Sequence, residues 1–463
     1  MKTQKLALGL AVVLAFSCLA GGCAKKTDGE AEKITIEIGG WPGSDESSAA
    51  EKARYEEVKA MFEKDFPNVE IAPVEGGFDQ DTFLPMAASG QLPTLYHTYF
   101  TEVDRIVNAG FAADVTSYMK EFGYTEKLDR QILDLITREN KTYFIPKSAY
   151  LMGLYVNRAL FEKIGKVNED GTLQIPQTYD EMVETAQLIK EKTGNPGYAI
   201  LTKGRGGGWH FLNIAWAFGT DFMEKENGKW VAKFDSPEGI AALQFVKDLK
   251  WKYDILPSSA LVDSSEINRL FSSDQLGMFF GAPPMEALTR EYKMPLEGIS
   301  VGALPEGPAG RYSQMGGGLV GITSHATEDQ VRACFNWLDY IGLGSKLTED
   351  AKNSIDASYR AELDRGNMIG IIPYSIWNKD SDLEKFRVEK ISEYANVDMK
   401  YFKEYADFDK VTVRPEEPVN CQELYQVLTN CLQEVLSNEN ADPAEVMKKA
   451  ARDFQVNSLD NVN

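Results

Sequence analysis

The sequence has few of the residues on which many enzyme and metal sites depend. It contains three histidines, His97, His210 and His325, and none of them belongs to an HExxH motif. No two of its five cysteines have the CxxC spacing of a zinc or redox site. These absences predict a protein that is not an enzyme and that uses no cofactor or metal.

Two features of the sequence bear on whether the protein could nevertheless be an enzyme. Residues 316–321 have the glycine spacing of a phosphate-binding loop, but Ile322 follows where that loop requires a lysine, so the positive charge that binds phosphate is missing. The 70 acidic residues offer many carboxylate pairs for a glycosidase, although no pair stands out. A secreted glycoside-acting enzyme therefore remains one alternative, and an exported scaffold that binds another protein is a second.

Positive charge is also scarce. Lysine and arginine number 49 against 70 acidic residues, which gives a net charge of −21. A chain of this charge has no electrostatic attraction to phosphate backbones, so nucleic acid is excluded as a partner. At 463 residues the chain is too long for one hydrophobic core, which predicts two lobes.

The sequence begins with an apolar run that is too short to span a membrane. Residues 6–20 carry no charge, whereas a spanning helix needs about 20 apolar residues. Lys2 and Lys5 precede this run and Gly21, Gly22 and Cys23 follow it, which predicts a signal peptide over residues 1–22. The small residues before Cys23 resemble a bacterial lipobox, with Ala20 where that pattern prefers leucine. We expect lipidation of Cys23 and a tether over residues 23–32; an ordinary cleaved signal is the alternative.

Three cysteines remain beyond this region, and their odd number prevents full pairing within the chain. Cys421 and Cys431 are ten residues apart on a predicted helix, which separates them by about 15 Å, beyond disulfide reach. We interpret both, and Cys334, as packed thiols. A bridge that involves Cys334 stays open.

The order of predicted elements indicates an α/β fold. Residues 33–38 alternate polar and apolar side chains as a strand does, and residues 51–66 repeat apolar side chains at helical spacing. A second strand and a second helix follow, over residues 68–76 and 81–89. This alternation is typical of a mainly parallel sheet, in which ligands meet the loops after the strands.

Five segments, taken in order, resemble family 1 extracellular solute-binding proteins, the lipoprotein receptors of carbohydrate ABC importers. The first is ASGQLPTLYHTYFTEVDRIVNAGFAADVT, with Thr94 where the family usually has aspartate. The second is LYVNRALFEKIG followed by IPQTYDEMVETAQLIK, with Tyr179 in a position usually held by tryptophan. The others are FDSPEGIAALQFVKDL, FSSDQLGMFFGAPP and GGGLVGITSHATEDQVRACFNWLDYI.

The resemblance implies an α/β, two-lobe periplasmic-binding-protein type II fold with a hinge and an interlobe ligand cleft. By this analogy the N-terminal lobe comprises residues 33–147 and 283–344, and the C-terminal lobe residues 148–282 and 345–463. A sugar or oligosaccharide would bind in the cleft and pass to the transmembrane subunits of an ABC permease. The receptor would be an extracytoplasmic monomer, held at the bacterial membrane by its lipid anchor only.

A sugar presents hydroxyl groups at its rim and C–H bonds on its faces, so a sugar site needs aromatic platforms and polar edges. Trp41 follows the first strand and is a candidate platform. Asp79 lies in the loop after the second strand. Tyr99 and Glu102 follow the next strand, and we expect them to face the ligand as well.

The segment GRGGGWHFLNIAWAFGTD places Trp209 and Trp216 two helical turns apart on one face. Trp209 directly follows three glycines, where the backbone can approach a ligand closely, so we expect it in the cleft. Trp216 lies between alanines and is expected to pack in the core. Arg205 could bind a hydroxyl group or an anionic sugar, although loop arginines are usually solvated.

The resemblance supplies the remaining candidates. Pro283 occupies a position where the family often places an aromatic ring against the sugar, so Trp209 or Trp377 could provide that ring instead. Gly317, in the QMGGG loop, is expected to line the cleft with backbone donors. Tyr425 aligns with a sugar-facing position, with simple helix packing as its alternative.

Overall fold

The computed structural model describes residues 33–44 and 49–462. The predicted signal peptide, Cys23 and the tether all lie outside these residues. The strands are β1 Ile34–Trp41, β2 Val69–Glu75, β3 Leu95–Tyr99, β4 Thr137–Arg138, β5 Lys141–Thr142, β6 Phe144–Leu151, β7 Gly153–Asn157, β8 Tyr198–Ala199, β9 Met223–Glu226, β10 Lys229–Ala232, β11 Met278–Gly281, β12 Ile299–Gly302, β13 Tyr312–Ile322 and β14 Thr412–Pro415.

The helices alternate with these strands in the first half of the chain and dominate its second half. They are α1 Ala49–Asp65, α2 Gln80–Ala88, α3 Val103–Asn108, α4 Thr116–Glu121, α5 Tyr124–Lys127, α6 Arg130–Leu135, α7 Arg158–Ile164, α8 Tyr179–Thr193, α9 Gly206–Phe218, α10 Pro237–Trp251, α11 Ser264–Ser272, α12 Glu286–Arg290, α13 Glu328–Tyr340, α14 Glu349–Asp364, α15 Asp382–Tyr394, α16 Cys421–Ser437 and α17 Pro443–Asn457.

Local sequence explains why several helices begin where they do. The side chains of Thr178, Ser236 and Asp442 accept hydrogen bonds from backbone N–H groups in the first turns of α8, α10 and α17. Thr327 and Gln330 form a reciprocal capping box at the start of α13. These side chains satisfy N–H groups that have no partner within the helix.

The first lobe is built on a sheet in the order β14-β13-β3-β1-β2, with β6 paired to β13. β1 is parallel to β2 and β3, whereas β13 is antiparallel to β3 and β6. Helices α1 and α13 pack on this sheet, and their buried side chains include Phe62 and Trp337. The alternation predicted for residues 33–89 is confirmed.

The second lobe contains a sheet in the order β12-β7-β11-β8. Its apolar face packs against α8, α9, α10, α16 and α17 in a separate cluster of buried side chains. Trp216 belongs to this cluster and is 1% exposed, as expected. Cys421 and Cys431 are also buried there as free thiols, and Cys334 is a buried free thiol of the first lobe.

The chain passes between the lobes at neighbouring points. β6 ends at Leu151 and β7 begins at Gly153, so one extended segment enters both sheets. The chain crosses between the lobes at two other points, from β12 of the second sheet to β13 of the first sheet and from β14 of the first sheet to α16 of the second lobe. The Ser313 hydroxyl accepts from the backbone N–H of Met152 at 2.8 Å and donates to its carbonyl at 3.1 Å, which joins two of these crossings.

Pairing and packing in the structure differ from the lobe boundaries drawn from the resemblance. β12 lies within the range assigned to the first lobe, yet it pairs with β7 in the second sheet. Conversely, α14 and α15 lie in the range assigned to the second lobe, yet α14 packs on α13 of the first lobe and α15 packs on α14. β14 also joins the first sheet. Helix periodicity does not reveal which sheet a segment covers.

Candidate functional site

A cavity of about 270 Å³ lies where the two lobes face each other. The first sheet contributes the ends of β3 and β6 and the middle of β13, and the second lobe contributes the first turns of α9 and α16. We call it the central cavity, and it is lined by Tyr99, Tyr150, Arg205, Gly206, Trp209, Gly317, Glu416, Gln422 and Tyr425.

Glycines in β13 make room for the wall formed by β6. A Cβ atom at Gly317 would lie 2.0 Å from the carbonyl oxygen of Ser148, and one at Gly316 would collide with the Tyr150 hydroxyl group. Any side chain at these positions would push β6 away or displace the Tyr150 ring. The glycine run therefore shapes the cavity wall by allowing close backbone contact.

The glycines before Trp209 open a helix, and they also bring two helices together. α9 begins at Gly206, which itself lines the central cavity. A Cβ atom at Gly208 would lie 2.2 Å from the carbonyl oxygen of Tyr425, and the Gly208 N–H donates to the Thr429 hydroxyl at 2.8 Å. The glycines thus let α9 pack closely on α16, which brings Trp209 and Tyr425 to the same cavity.

The indole of Trp209 is half-buried and held at its edge. Its ring meets the Tyr150 ring edge to face, with centroids 6.1 Å apart. In the amide orientation that satisfies both groups, the Gln314 oxygen accepts from the Trp209 Nε1 and its nitrogen donates to the Trp209 carbonyl at 2.7 Å. Such an anchored ring can serve as an apolar platform for a ligand.

A carboxyl group and two phenols form the polar part of the central cavity. The Tyr425 hydroxyl donates to Glu416 Oε1 at 2.5 Å. Burial raises the pKa of Glu416 to about 7, and the hydrogen bond from Tyr425 partly offsets that increase. Burial, followed by the nearby Glu416, raises the pKa of Tyr150. Near neutral pH the cavity therefore offers hydroxyl donors and a carboxyl group that can accept or donate.

Three side-chain contacts bridge the lobes beside the cavity. Gln80 donates to Glu423 at 3.1 Å, Arg205 approaches Asp81 at 3.3 Å, and Gln422 donates to Thr101 at 3.3 Å. In each pair one partner belongs to α2 or the turn after β3, and the other to α9 or α16. We call these three pairs the interlobe bridge; they hold the lobes against each other on one side of the cleft.

Four of the predicted site residues come together in the central cavity: Tyr99, Trp209, Gly317 and Tyr425. Tyr99 keeps 47% of its surface exposed, whereas Tyr425 is almost fully buried and its hydroxyl group is bonded to Glu416 of the cavity.

Trp41 and Trp377 lie elsewhere, in the hydrophobic core of the first lobe. Trp41 is 2% exposed; its ring stacks on Trp337 with centroids 6.2 Å apart, and its Nε1 donates to Glu56. Trp377 is 3% exposed and packs against Tyr124. Helices α1 and α13 supply the partners that the local sequence around Trp41 lacks.

The other three predicted residues have local structural roles. The Asp79 side chain caps α2 by accepting from the Thr82 N–H. Glu102 is buried and pairs with Arg105 at 2.9 Å. Pro283 is buried and precedes a cis peptide bond to Pro284, in the loop that leads to α12. None of the three lines the central cavity.

Several residues of the cavity were not predicted, notably Tyr150, Gly206, Glu416 and Gln422. Glu416 lies between β14 and α16 in the segment RPEEPVN, where two adjacent acids precede a helix. A pair of acids in such a position was a usable signal for a site. In the structure Glu417 bonds to Trp216 and Arg414, and Glu416 lines the cavity. The role of Tyr150 depends on the pairing of β6 with β13, which local sequence does not show.

The segment Gly298-Ile299-Ser300-Val301-Gly302 has the GxSxG spacing of serine hydrolases. Its setting differs from theirs, because Ser300 lies inside β12 and not at a strand-to-helix turn. Ser300 is 1% exposed, and its hydroxyl donates to the Tyr401 carbonyl at 2.7 Å. It is a buried structural serine.

Comparisons with known proteins agree with this architecture. Residues 45–338 match the family described as bacterial extracellular solute-binding proteins. Lipoprotein LipO of Bacillus subtilis is 24% identical over 366 residues, which cover 73% of this chain and 70% of that protein. A Brucella abortus protein described as a binding protein is 24% identical over 271 residues, but these cover 57% of this chain and only 62% of that relative.

Solved structures show the same fold at low sequence identity. Maltose-bound MalE3 of Thermotoga maritima superposes with a TM-score of 0.66 at 21% identity, over 92% of this chain and 100% of that one. The GacH receptor of Streptomyces glaucescens, solved without ligand and with acarbose, has a TM-score of 0.66 at 20% identity, over 93% and 100%.

The fold and the interlobe cavity define a two-lobe binding protein of periplasmic-binding-protein type II. The chain belongs to the family of bacterial extracellular solute-binding proteins. Within residues 33–44 and 49–462, no helix has the length and hydrophobicity of a bilayer-spanning segment.

Proposed function

We propose that this protein is the extracytoplasmic receptor of an ABC importer, which captures a sugar or oligosaccharide in the central cavity. One observation carries the proposal: Tyr99, Trp209 and Tyr425, from separate elements of the two lobes, converge on one cavity. Aromatic faces there match the C–H faces of a sugar, and the carboxyl and amide groups of Glu416 and Gln422 match its hydroxyl groups.

The identities of the relatives support this proposal. A Streptococcus mutans relative is described as a multiple sugar-binding protein and is 24% identical over 46% of this chain and 48% of its own length. The structural neighbours named above were solved with maltose and with acarbose. Sugar is therefore the class of ligand to test first.

The delivery route and the anchor are parts of the same proposal. A receptor closed around sugar would dock on the transmembrane subunits of a permease, and Cys23 would carry the lipid that holds it at the membrane. LipO, a relative described as a lipoprotein, supports the anchor. We expect the receptor to act as a monomer.

The decisive experiment measures binding and turnover together. Mature protein is titrated with a panel of mono- and oligosaccharides while tryptophan fluorescence and the melting temperature are recorded, and the sugars are then analysed by chromatography. We expect quenching and a raised melting temperature with some sugar, which is recovered unchanged. Hydrolysis of that sugar would contradict a receptor. If no sugar of the panel changes the fluorescence or the melting temperature, sugar is rejected as the ligand class.

The variant Trp209→Ala tests the site itself. We expect it to weaken sugar binding by about 1–3 kcal/mol, the scale of one buried aromatic contact. Trp251→Ala is the matched control, because Trp251 is partly exposed on α10 outside the central cavity. Unchanged affinity in a folded Trp209→Ala protein would exclude this ring from the site.

A further inference from the structure

A second cavity, of about 400 Å³, lies in the first lobe between α1, α13, α14 and α15. Lys147 extends into it from β6, three residues before Tyr150 of the central cavity. Three residues of strand span about 10 Å, so the two cavities are neighbours along β6. We call this second space the charged cavity.

Three cations line the charged cavity: Arg54 from α1, Lys147 from β6 and Arg387 from α15. No carboxylate of the described chain comes within ion-pair distance, 4.0 Å, of any of the three. Arg54 lies over the ring of Tyr55 at 5.4 Å, which holds the guanidinium without neutralising it.

For an arginine, this lack of a carboxylate partner is unusual within the molecule. Every other arginine in the described ranges has a carboxylate within 4.0 Å except Arg311, which donates instead to the backbone and side chain of Gln177. Acidic residues outnumber basic ones by 70 to 49, so a carboxylate partner is easy to supply by chance. Two of the three arginines without one nevertheless lie in the same cavity.

The carboxylates near the charged cavity offset this positive charge only in part, since Glu51 raises the pKa of Lys147 against the larger lowering by burial but forms no ion pair with it. Glu362 is engaged by Arg365 at 2.8 Å and by Asn367. Glu51 is exposed at the rim. Across the cleft Glu286 of α12 has its own partner in Arg290 at 3.6 Å. Within the lining, three free cations therefore face one free carboxylate.

We propose that the charged cavity is an anion-binding subsite for a negatively charged group, a carboxylate or a phosphate, carried by the sugar ligand. Guanidinium groups bind both oxyanions through paired N–H donors, and Lys147 supplies a third positive charge. This inference rests on the proposed function, because one sugar unit would occupy the central cavity while a second, negatively charged unit of the same ligand reaches the cations.

The test compares neutral di- and trisaccharides with the same sugars carrying a terminal uronic-acid or phosphorylated unit by calorimetry, with inorganic phosphate as a probe without sugar. We expect at least one acidic form to bind about tenfold or more tightly than its neutral counterpart, in keeping with charge-assisted hydrogen bonds. The triple variant Arg54→Gln/Lys147→Gln/Arg387→Gln should abolish this preference and leave the affinity for the neutral form unchanged.

A matched control removes the same charge elsewhere. Lys64, Lys163 and Lys229 are exposed, and the structure shows no ion pair for them; their triple glutamine variant should keep the full preference for the acidic form. If both triple variants lose the preference equally, long-range charge explains it and the subsite is refuted.

The outcomes separate this proposal from the receptor proposal. Equal or weaker binding of every acidic form, while neutral sugar binds, overturns the anion subsite and leaves the receptor standing. If phosphate binds, this binding is lost in the Arg54/Lys147/Arg387 variant and no sugar of any form binds, the anion site is supported and sugar is rejected as the ligand. If no acidic sugar and no phosphate bind, the anion subsite is refuted whatever neutral sugars do. A preference for carboxylate or for phosphate identifies the group.

Discussion

The central cavity and the charged cavity share the strand β6 but differ in how their polar groups are satisfied. In the central cavity Glu416 is bonded to Tyr425 and the indole of Trp209 is held by Gln314. In the charged cavity Arg54, Lys147 and Arg387 have no carboxylate partner in the described chain. The first is a preorganised surface for hydroxyl and C–H groups, and the second leaves its charge for another molecule to balance.

The largest effect should come from breaking the first-lobe core that underlies the charged cavity. Trp41→Ala removes a buried indole that packs on Trp337, a residue that also lines the charged cavity. We expect the free energy of unfolding to fall by about 3–5 kcal/mol, measured by urea denaturation. Sugar affinity of the remaining folded protein should stay unchanged. A loss of affinity without a loss of stability would place Trp41 in the ligand site after all.

A smaller loss should follow from Gly208→Ala, which alters only the central cavity. The added methyl group would meet the Tyr425 carbonyl, so α9 must move from α16 at a cost of about 1–3 kcal/mol. Melting temperature and neutral-sugar affinity should both decrease, while phosphate binding in the charged cavity persists. Gly77→Ala is the control, because a Cβ atom there meets nothing within 4 Å. Equal effects of the two variants would refute the close contact.

The pH dependence of binding should also distinguish the cavities. Because burial raises the pKa of Glu416 to about 7, the folded protein favours the protonated acid, and this group's contribution to stability falls as pH rises from about 4.5 through 7. Above pH 7 the carboxylate accepts hydrogen bonds more strongly. We expect neutral-sugar affinity to rise about fivefold between pH 5.5 and 8, as measured by calorimetry.

Glu416→Gln should remove this dependence on pH. Glu417→Gln is the matched control: burial raises the pKa of Glu417 to about 7 as well, but its side chain contacts Trp216 and Arg414 outside the cavity. If Glu417→Gln flattens the profile and Glu416→Gln does not, the titrating group lies outside the ligand site.

The smallest effect should come from the interlobe bridge. Gln80→Ala removes one of its three contacts, the hydrogen bond to partly exposed Glu423, and should weaken sugar binding by about 0–1 kcal/mol. Small-angle scattering of the unliganded protein should show a slightly more open form. A decrease as large as that of Trp209→Ala would mean that this contact, and not the aromatic platform, dominates closure.

Sequence patterns predicted the local structure well and the site only in part. The alternation in residues 33–38 and the helical spacing after residue 49 depend on side-chain periodicity, which the chain carries locally. Trp41 and Trp209 both follow glycines, and their neighbours in sequence do not distinguish them. Trp41 is covered by Trp337, almost 300 residues later in the chain, whereas Trp209 faces a gap between the lobes.

The cations of the charged cavity illustrate the same limit. Arg54, Lys147 and Arg387 are far apart in sequence, and each resembles an ordinary solvated residue of a polar segment. Only the packing of α1, β6 and α15 around one space reveals that they share it and that no carboxylate of residues 33–44 and 49–462 pairs with them. The sequence does carry a signal for Glu416, because it is one of two adjacent acids just before a helix. The structure then shows that the other acid, Glu417, is bonded to Trp216.

The late position of β14 in the chain bears on when the molecule can fold during synthesis. This edge strand, Thr412–Pro415, pairs with β13 to complete a sheet whose first strand begins at Ile34. Until the nascent chain reaches residue 415, the first sheet lacks its edge strand. About nine-tenths of the polypeptide is therefore synthesised before this sheet can be complete. All strands of the second sheet precede β14 in the chain, so the sheet of the second lobe can form before the sheet of the first lobe is complete.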